Sequence, residues 1–214
     1  MEILSSVISV IALIVSLFTA WFTMLRKGTV KSTHPSFIAI RYDFVSKRHP
    51  QAKVFLRSCL YSTSKRGIVV ENLFLNVIHD GKSEEFSFWG YGEKDLSRGS
   101  GLFVGENGVV TNHHFNPLNA NELYAFNPGI YKIELMAKLV GRKSLLCLSK
   151  ISLEVPKGAF EEGVTDNIAI YYNWSPLEQK YIASIEDRNE QLSGFLESSA
   201  NNHFHPTQKD ARVK

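Results

Sequence analysis

The fold is decided by residues 130–155, which read IYKIELMAKLVGRKSLLCLSKISLEV. In the first half, apolar side chains occupy every second position: Tyr131, Ile133, Leu135, Ala137 and Leu139. Charged side chains fill most of the positions between them, and a period of two places the two sets on opposite sides of an extended strand. Residues 141–144 form a turn, after which the alternation resumes. The stretch therefore predicts two antiparallel strands, each with one buried and one solvated face.

Short apolar runs of the same kind continue through the chain from residue 36, separated by turn signals such as Asp80-Gly81. The predicted strands cover residues 36–42, 54–61, 68–78, 84–91, 109–115, 122–126, 130–139, 145–155, 168–172 and 180–185. No stretch between 36 and 185 has helical periodicity of useful length. This pattern predicts an all-β domain, an antiparallel β-sandwich of immunoglobulin-like size, with a barrel as the alternative.

The N-terminal stretch Ile3–Leu25 is an uncharged apolar run of 23 residues. Such a run reaches roughly 30 Å as a helix, which matches the hydrocarbon core of a bilayer. A cleaved signal peptide would have a basic start, a shorter apolar core and small residues at its end. This chain begins Met-Glu, and its apolar run ends at Arg26 and Lys27. Residues 1–27 are therefore predicted to be an uncleaved transmembrane signal anchor, in contact with the lipid bilayer through residues 3–25.

The charges that flank this run predict its orientation. Arg26, Lys27 and Lys31 follow the run, whereas Glu2 offsets the α-amino group before it. The positive-inside bias then places the N-terminus outside and the folded domain in the cytoplasm, and we expect a bacterial inner membrane. After the anchor, residues 28–35 are predicted to be a juxtamembrane linker, residues 36–187 the sandwich and residues 188–214 a disordered tail.

Composition excludes several classes of protein. The chain has 24 Lys and Arg against 21 Asp and Glu, a net charge of +3, so we expect no nucleic-acid partner. Cys59 and Cys147 are too few for a disulfide scaffold and suit a reducing compartment. Cys147 falls on the apolar face of its predicted strand and is interpreted as a core residue. The glycine-rich run 99–105 has the spacing G-x-G-x-x-x-G and leads into a turn, so no cofactor is expected.

Motifs for catalysis are missing from the sequence. There is no G-x-S-x-G, and neither cysteine has neighbours that would activate its thiol. His113 and His114 are adjacent on a predicted strand and should point to opposite faces, which suits a shared metal poorly. We therefore expect no catalytic residue. A membrane-bound metal-dependent enzyme or sensor that uses His79, His113 or His114 is the alternative.

Two features could bind a partner. Lys65 and Arg66 lie in a hydroxyl-rich loop, residues 62–67, which could hold an anion or simply be an exposed hairpin loop. Trp89 and Tyr91 share one face of a predicted strand and would form a binding platform if that face were exposed. We favour a core position for that face, and Phe86 and Phe88 on the opposite face are also interpreted as core. These features predict a membrane-anchored, non-catalytic module that binds an unidentified protein partner.

The apolar run itself contains small residues in a regular series. Successive members are 4, 3, 4, 3 and 4 residues apart: Ser5, Ser9, Ala12, Ser16, Thr19 and Thr23. That spacing places them on one stripe of a helix. Small residues let membrane helices approach closely, so the stripe predicts a homo-oligomer through the helix. The alternative is that Ser and Thr are merely tolerated in a very apolar segment.

Overall fold

A computed structural model of the chain describes residues 2–46, 49–93, 95–99, 101–118, 123–160 and 168–187. Two antiparallel sheets pack face to face, and an apolar helix precedes them. The predicted all-β fold of sandwich type, with an N-terminal helix, is thus confirmed. The predicted tail, residues 188–214, lies outside the described residues.

The N-terminal apolar run forms one continuous rod. Helix α1 (Glu2–Ala20) passes directly into a π-helical segment, Trp21–Leu25. The backbone N–H of Arg26 donates to the Trp21 carbonyl at 2.9 Å, which closes a final turn wider than that of an α-helix. None of the window from Ile3 to Leu25 is buried against the sandwich. The rod is therefore long and apolar enough to cross a membrane.

Within the part of the chain that the structure describes, the larger sheet has eight strands: β1 (Val30–Ser32), β2 (Phe37–Ser46), β3 (His49–Ser62), β6 (Phe88–Tyr91), β7 (Ser97–Arg98), β9 (Val109–Asn116), β12 (Ile168–Ser175) and β13 (Lys180–Asp187). Their order is β13-β12-β2-β3-β9-β6-β7, and β1 lies beyond the end of β2 on the same edge of β3. The described residues of the smaller sheet form five strands: β4 (Ile68–His79), β5 (Lys82–Phe86), β8 (Leu102–Val104), β10 (Gly129–Leu139) and β11 (Leu146–Val155). Their order is β11-β10-β4-β5, with β8 on the edge of β4.

The core lies between the inner faces of the two sheets. The alternation predicted for β10 is confirmed, because each of the five alternating apolar side chains from Tyr131 to Leu139 is at most 1% exposed. Opposite them, the larger sheet contributes fully buried aromatic side chains such as Phe115 and Tyr172. Buried apolar area of this kind is the main stabilising term of such a domain.

The segment predicted to be a linker, residues 28–35, is partly a strand. Residues Val30–Ser32 pair with the end of β3, and Val30 is 2% exposed. A three-residue strand is too short to show alternation, which is why the sequence pattern did not predict it. The sheet therefore begins five residues after Leu25, and not at residue 36 as predicted.

Phe86 and Phe88 do not share an environment, contrary to the prediction. Phe86 is fully buried on β5, whereas Phe88 on β6 is 45% exposed. The chain leaves the smaller sheet after Phe86 and enters the larger sheet at Phe88. Because the inner faces of the two sheets point towards each other, this crossing exchanges the inner and outer positions. Trp89 consequently lies in the core, at 4% exposure.

Cys147 is exposed and is not the core residue that its strand pattern predicts. The pairing of β10 with β11 shifts between Leu135 and Met136, so that Ser149 lies opposite Leu135 and Cys147 lies opposite Met136. The extra residue on β11 is a β-bulge, which reverses the direction of every side chain beyond it.

The strand predicted at 122–126 is also wrong. Glu122 lies outside the described residues, and the segment that follows it has no strand pairing. Its aromatic residues instead pack between the sheets, where Phe126 lies near Tyr42 with ring centroids 5.8 Å apart. The backbone N–H of Phe126 donates to the Tyr42 hydroxyl at 2.7 Å, which fixes the segment against the larger sheet.

Candidate functional site

The outer face of the larger sheet has a row of rings that crosses four strands. Tyr171 of β12 stacks on Phe37 of β2 with centroids 5.6 Å apart, and Phe37 meets Phe55 of β3 edge-on at 5.7 Å. Phe55 in turn meets the ring of His114 on β9 at 4.9 Å. These four rings are half-buried and form the "aromatic row". Aromatic surface on the solvated side of a sheet is typical of binding surfaces.

A cleft of 310 Å³ opens at the β9 end of the aromatic row, which is at the lower end of the usual range for small-ligand pockets. Strands β2, β3, β6, β7 and β9 all contribute to its walls. The polar and aromatic side chains that matter for its chemistry are Asp43, Lys53, Phe88, Arg98, His114 and Asn116. Three stretches that are distant in sequence, residues 43–53, 88–98 and 114–118, meet there, so the cleft is a product of strand register.

An ion-paired group forms the wall of the cleft at β2 and β3. Asp43 accepts Lys53 Nζ at 2.6 Å, and Arg41 Nε lies 2.8 Å from its other carboxylate oxygen. Burial opposes ionisation of Asp43, but the hydrogen bond from Lys53 and the charges of Arg41 and Lys53 together lower its pKa. Lys53 is 9% exposed and is held at the cleft as a nearly buried cation.

His114 presents an unsatisfied ring nitrogen in this charged setting. Burial, and then the charges of Lys53 and Arg41, lower its pKa to about 4, although Asp43 acts in the opposite sense. The imidazole is therefore neutral at pH 7. Its Nδ1 is buried and has no hydrogen-bond partner among the residues that the structure describes. Buried polar atoms are rarely left unpaired, so this nitrogen has a hydrogen-bonding capacity that none of the described residues uses.

The opposite wall of the cleft adds a second cation. The Arg98 guanidinium on β7 lies 4.9 Å from the centre of the exposed Phe88 ring. Such cation–π contacts hold a guanidinium in place without neutralising its charge. The lining thus combines two cations, Lys53 and Arg98, with one carboxylate that is already ion-paired. An acidic group is the ligand that this balance of charge favours.

His113 points away from the cleft, as expected for two adjacent residues on a strand. It is fully buried, and its Nδ1 accepts a hydrogen bond from Trp89 Nε1 at 3.2 Å. Burial, and to a smaller extent the neighbouring His114, lower its pKa to about 4. His113 is therefore a neutral core residue that fixes the indole of Trp89.

His79 lies on the smaller sheet and does not join the other two histidines. Its ring stacks on Tyr131 with centroids 4.1 Å apart, and its Nδ1 lies 3.2 Å from the Ile130 carbonyl oxygen. Across the described ranges, no group of three or more His, Cys, Asp or Glu is arranged to hold a metal ion. The three candidate metal ligands thus occupy three separate environments.

The four residues considered as a binding set do not form one site. Lys65 and Arg66 are exposed in the β3–β4 loop, whereas Trp89 is buried and Tyr91 is half-buried beside it, with ring centroids 4.7 Å apart. Trp89 and the β3–β4 loop lie at opposite ends of the domain. Eight residues of β3 separate these two ends, which corresponds to roughly 26 Å. Trp89 lies on the inner face of the larger sheet, which packs against the smaller sheet. Trp89 therefore does not form an exposed binding platform. Among the cleft residues, His114 was predicted only as a candidate metal ligand. Asp43 and Lys53 were not predicted, because each is a single charged residue next to a predicted strand.

The hydroxyl groups of the helix stripe are satisfied within the helix. Ser9, Ser16, Thr19 and Thr23 each donate to the carbonyl oxygen four residues earlier, at 2.7–2.9 Å. Such bonds are how Ser and Thr are accommodated in apolar helices. The stripe therefore offers a second copy of the helix close approach along small side chains, and not hydroxyl bonds between helices. Self-association through the helix stays a prediction.

Comparisons with known proteins give little further information. No family model matches the sequence, and no curated protein matches it. Among solved structures, the chain is similar to a family 123 glycoside hydrolase from Clostridium perfringens that hydrolyses glycolipid glycans. The identity is 13% and the TM-score 0.30, with 61% of this chain and 27% of the hydrolase covered. Values this low establish neither a shared fold nor shared chemistry.

Proposed function

We propose that this chain is a membrane-anchored, non-catalytic binding module whose protein partner docks on the outer face of the larger sheet. The observation that supports this proposal is the cleft at the end of the aromatic row, with its nearly buried Lys53 and a His114 nitrogen that none of the described residues pairs. The aromatic row supplies apolar contact area, and the cleft supplies cationic groups. A partner that presents an acidic side chain next to an apolar one complements both.

The chemistry of the cleft suits binding better than catalysis. Asp43 is held by two cations, so its carboxylate is a poor proton acceptor. His114 has its pKa lowered to about 4 and is a weak base at neutral pH. No serine, threonine or cysteine is among the described residues that line the cleft. His114 Nδ1, which has no hydrogen-bond partner among the described residues, is better suited to a hydrogen bond with a ligand than to activating a nucleophile.

The apolar rod Ile3–Leu25 is proposed to hold the module in a bacterial inner membrane, with the sandwich on the cytoplasmic side. The basic residues Arg26 and Lys27, directly after the rod, support this orientation. In intact spheroplasts, the sandwich should then resist added protease and be digested only after lysis. Digestion of the domain without lysis would contradict this orientation but would leave the binding face unaffected.

A site-specific photo-crosslinker tests the proposed face. The photoreactive residue benzoylphenylalanine is placed at Phe88, beside the cleft, or at Leu177, which is 98% exposed in the β12–β13 turn and serves as the control. Irradiation of native membranes should give a protein adduct at position 88 and none of the same mass at position 177. Adding Arg98→Gln should reduce the yield at position 88, because it removes one cation from the cleft. Equal adducts at both positions, or none at position 88, would refute the proposal.

A further inference from the structure

The domain is attached closely to the end of the apolar rod. The Gly28 carbonyl accepts a hydrogen bond from Arg142 Nη2 at 2.6 Å, and the Thr29 N–H donates to Thr63 Oγ1 at 2.9 Å. Val30 already belongs to the sheet. Gly28 is only three residues beyond Leu25, which corresponds to at most about 10 Å of extended chain. The β3–β4 and β10–β11 loops are therefore fixed next to the end of the rod.

This position corresponds to the headgroup layer if the rod spans a bilayer. The polar layer extends roughly 5–8 Å beyond the hydrocarbon core on each side. Arg142 contacts Gly28 directly, so its loop cannot lie much further from the membrane than Gly28 does. Charges at this depth are within about one Debye length of lipid phosphates at physiological salt.

Basic residues dominate this end of the domain. We call residues 26–31, 62–67 and 138–145 the "basic collar". These three segments contain no Asp or Glu. They contain eight Lys and Arg residues: Arg26, Lys27, Lys31, Lys65, Arg66, Lys138, Arg142 and Lys143. The nearby β8–β9 turn, which is joined to β3 by a hydrogen bond from Ser62 N to the Gly105 carbonyl at 3.0 Å, adds one carboxylate, Glu106. None of the ion pairs formed by described residues involves the basic collar.

The collar also has the geometry of a headgroup site. A cleft of 260 Å³ lies between Lys27, Arg66 and Arg142. Three large apolar side chains around it are exposed, Phe103 at 59%, Val140 at 57% and Leu145 at 53%. Apolar side chains among basic ones are characteristic of surfaces that rest in a membrane interface. Such exposure is costly in water and favourable against lipid.

We infer that the basic collar binds the headgroups of anionic phospholipids and holds the sandwich against the membrane surface. This inference rests on the membrane anchor of the proposed function. Lys65 and Arg66, which the sequence marks as a possible anion site, thereby receive a ligand class, and the cationic cleft of the collar is the place where a lipid phosphate would lie. Clusters of Lys and Arg immediately next to a membrane helix attract anionic lipids in this way.

The test uses the full chain in nanodiscs that contain phosphatidylcholine and phosphatidylglycerol, with the retained lipids identified by native mass spectrometry. Phosphatidylglycerol should be enriched about fivefold over its share of the disc, and 0.5 M salt should reduce this enrichment. The triple variant K65Q/R66Q/K143Q should lose it, while Arg142 stays in place to hold Gly28. The matched control K82Q/K132Q/K157Q makes the same change of charge at exposed positions at the other end of the sandwich and should keep the enrichment.

The outcomes separate the collar from the anchor. The inference would be overturned if the retained lipids had the same composition as the disc, or if both triple variants lost the phosphatidylglycerol enrichment equally. Either result would leave the membrane anchor intact. A chain that alkaline carbonate extracts from native membranes would instead show that the anchor itself is wrong. Enrichment that survives 0.5 M salt and the collar substitutions would place the lipid elsewhere on the chain and would also overturn the inference.

Discussion

Protonation of His113 should destabilise the sandwich as the pH falls. Trp89 Nε1–H is a donor only, so the hydrogen bond it makes to His113 Nδ1 requires a lone pair on that nitrogen. A protonated imidazole has no lone pair. Protonation therefore breaks the bond and places a cation in a fully buried position between the sheets, next to the rings of Trp89 and Phe115.

The size of the effect follows from the lowered pKa of His113. The pKa falls from 6.5 to about 4 on folding, so the folded state holds the neutral form more strongly than the unfolded state does. This contribution to stability is complete above pH 6.5 and is lost as the pH falls from 6.5 towards 4. The loss amounts to about 3 kcal/mol, at 1.36 kcal/mol per pKa unit. Because Asp43 has its pKa lowered from 3.8, its own titration lies below this window.

The assay is urea unfolding of the full chain in detergent at pH 7.0 and pH 4.5, followed by near-ultraviolet circular dichroism. His113 alone should lower the free energy of unfolding at pH 4.5 by most of that amount, and the half-buried His114, whose pKa is also lowered to about 4, adds to the loss. His113→Asn keeps an acceptor for Trp89 but cannot titrate, so the difference between the two pH values should shrink by about 2–3 kcal/mol. His114→Asn measures the share of the neighbouring, half-buried ring. A His113 resonance that titrates near pH 6.5 in the folded protein would refute the reasoning.

Three further outcomes are expected. Tyr42→Phe removes the acceptor of the buried Phe126 N–H, and the free energy of unfolding in urea should fall by about 1–3 kcal/mol; an unchanged midpoint would mean that water replaces the hydroxyl. Deletion of residues 1–27 should leave a soluble, β-rich domain by circular dichroism, whereas deletion of 1–32 also removes buried Val30 and should cost about 2 kcal/mol more; equal midpoints would contradict a role for β1. In a membrane two-hybrid assay, Ser9→Leu with Ser16→Leu should weaken self-association more than Leu13→Ala with Leu17→Ala, and equal signals would leave the stripe without a role.

The regular parts of the fold were predictable because they repeat a simple pattern over many residues. The rod Ile3–Leu25 is uncharged throughout and mostly apolar, and β10 alternates without interruption, so each indicates its environment from local sequence alone. The errors at Phe88 and Cys147 have a common cause. A crossing between sheets and a β-bulge each reverse which side chains point inwards, and neither leaves a signal in the hydrophobic pattern.

The candidate site could not be predicted from sequence for a different reason. Asp43, Lys53 and His114 come from three strands, and their convergence depends on the register of β2 with β3 and of β3 with β9. Alone, each is a polar residue on the solvated face of its strand. The one local sign of the site in the sequence is the pair of opposite charges at Arg41 and Asp43, two residues apart. This pair does not identify the third strand that completes the cleft.

The order of strands in the larger sheet also governs how the protein is made. Strand β2 lies between β3 and β12, yet β12 is translated long after β2. At 5–20 residues per second, the ribosome needs roughly 6–25 s to proceed from Ser46 to Ile168. Throughout that delay, the nascent domain has an incomplete sheet whose β2 edge is open to pairing with another nascent chain. The charged pair Arg41 and Asp43 lies on β2, and charges on an open strand edge disfavour such pairing. We therefore expect the residues that later form the wall of the cleft also to oppose aggregation of the growing chain.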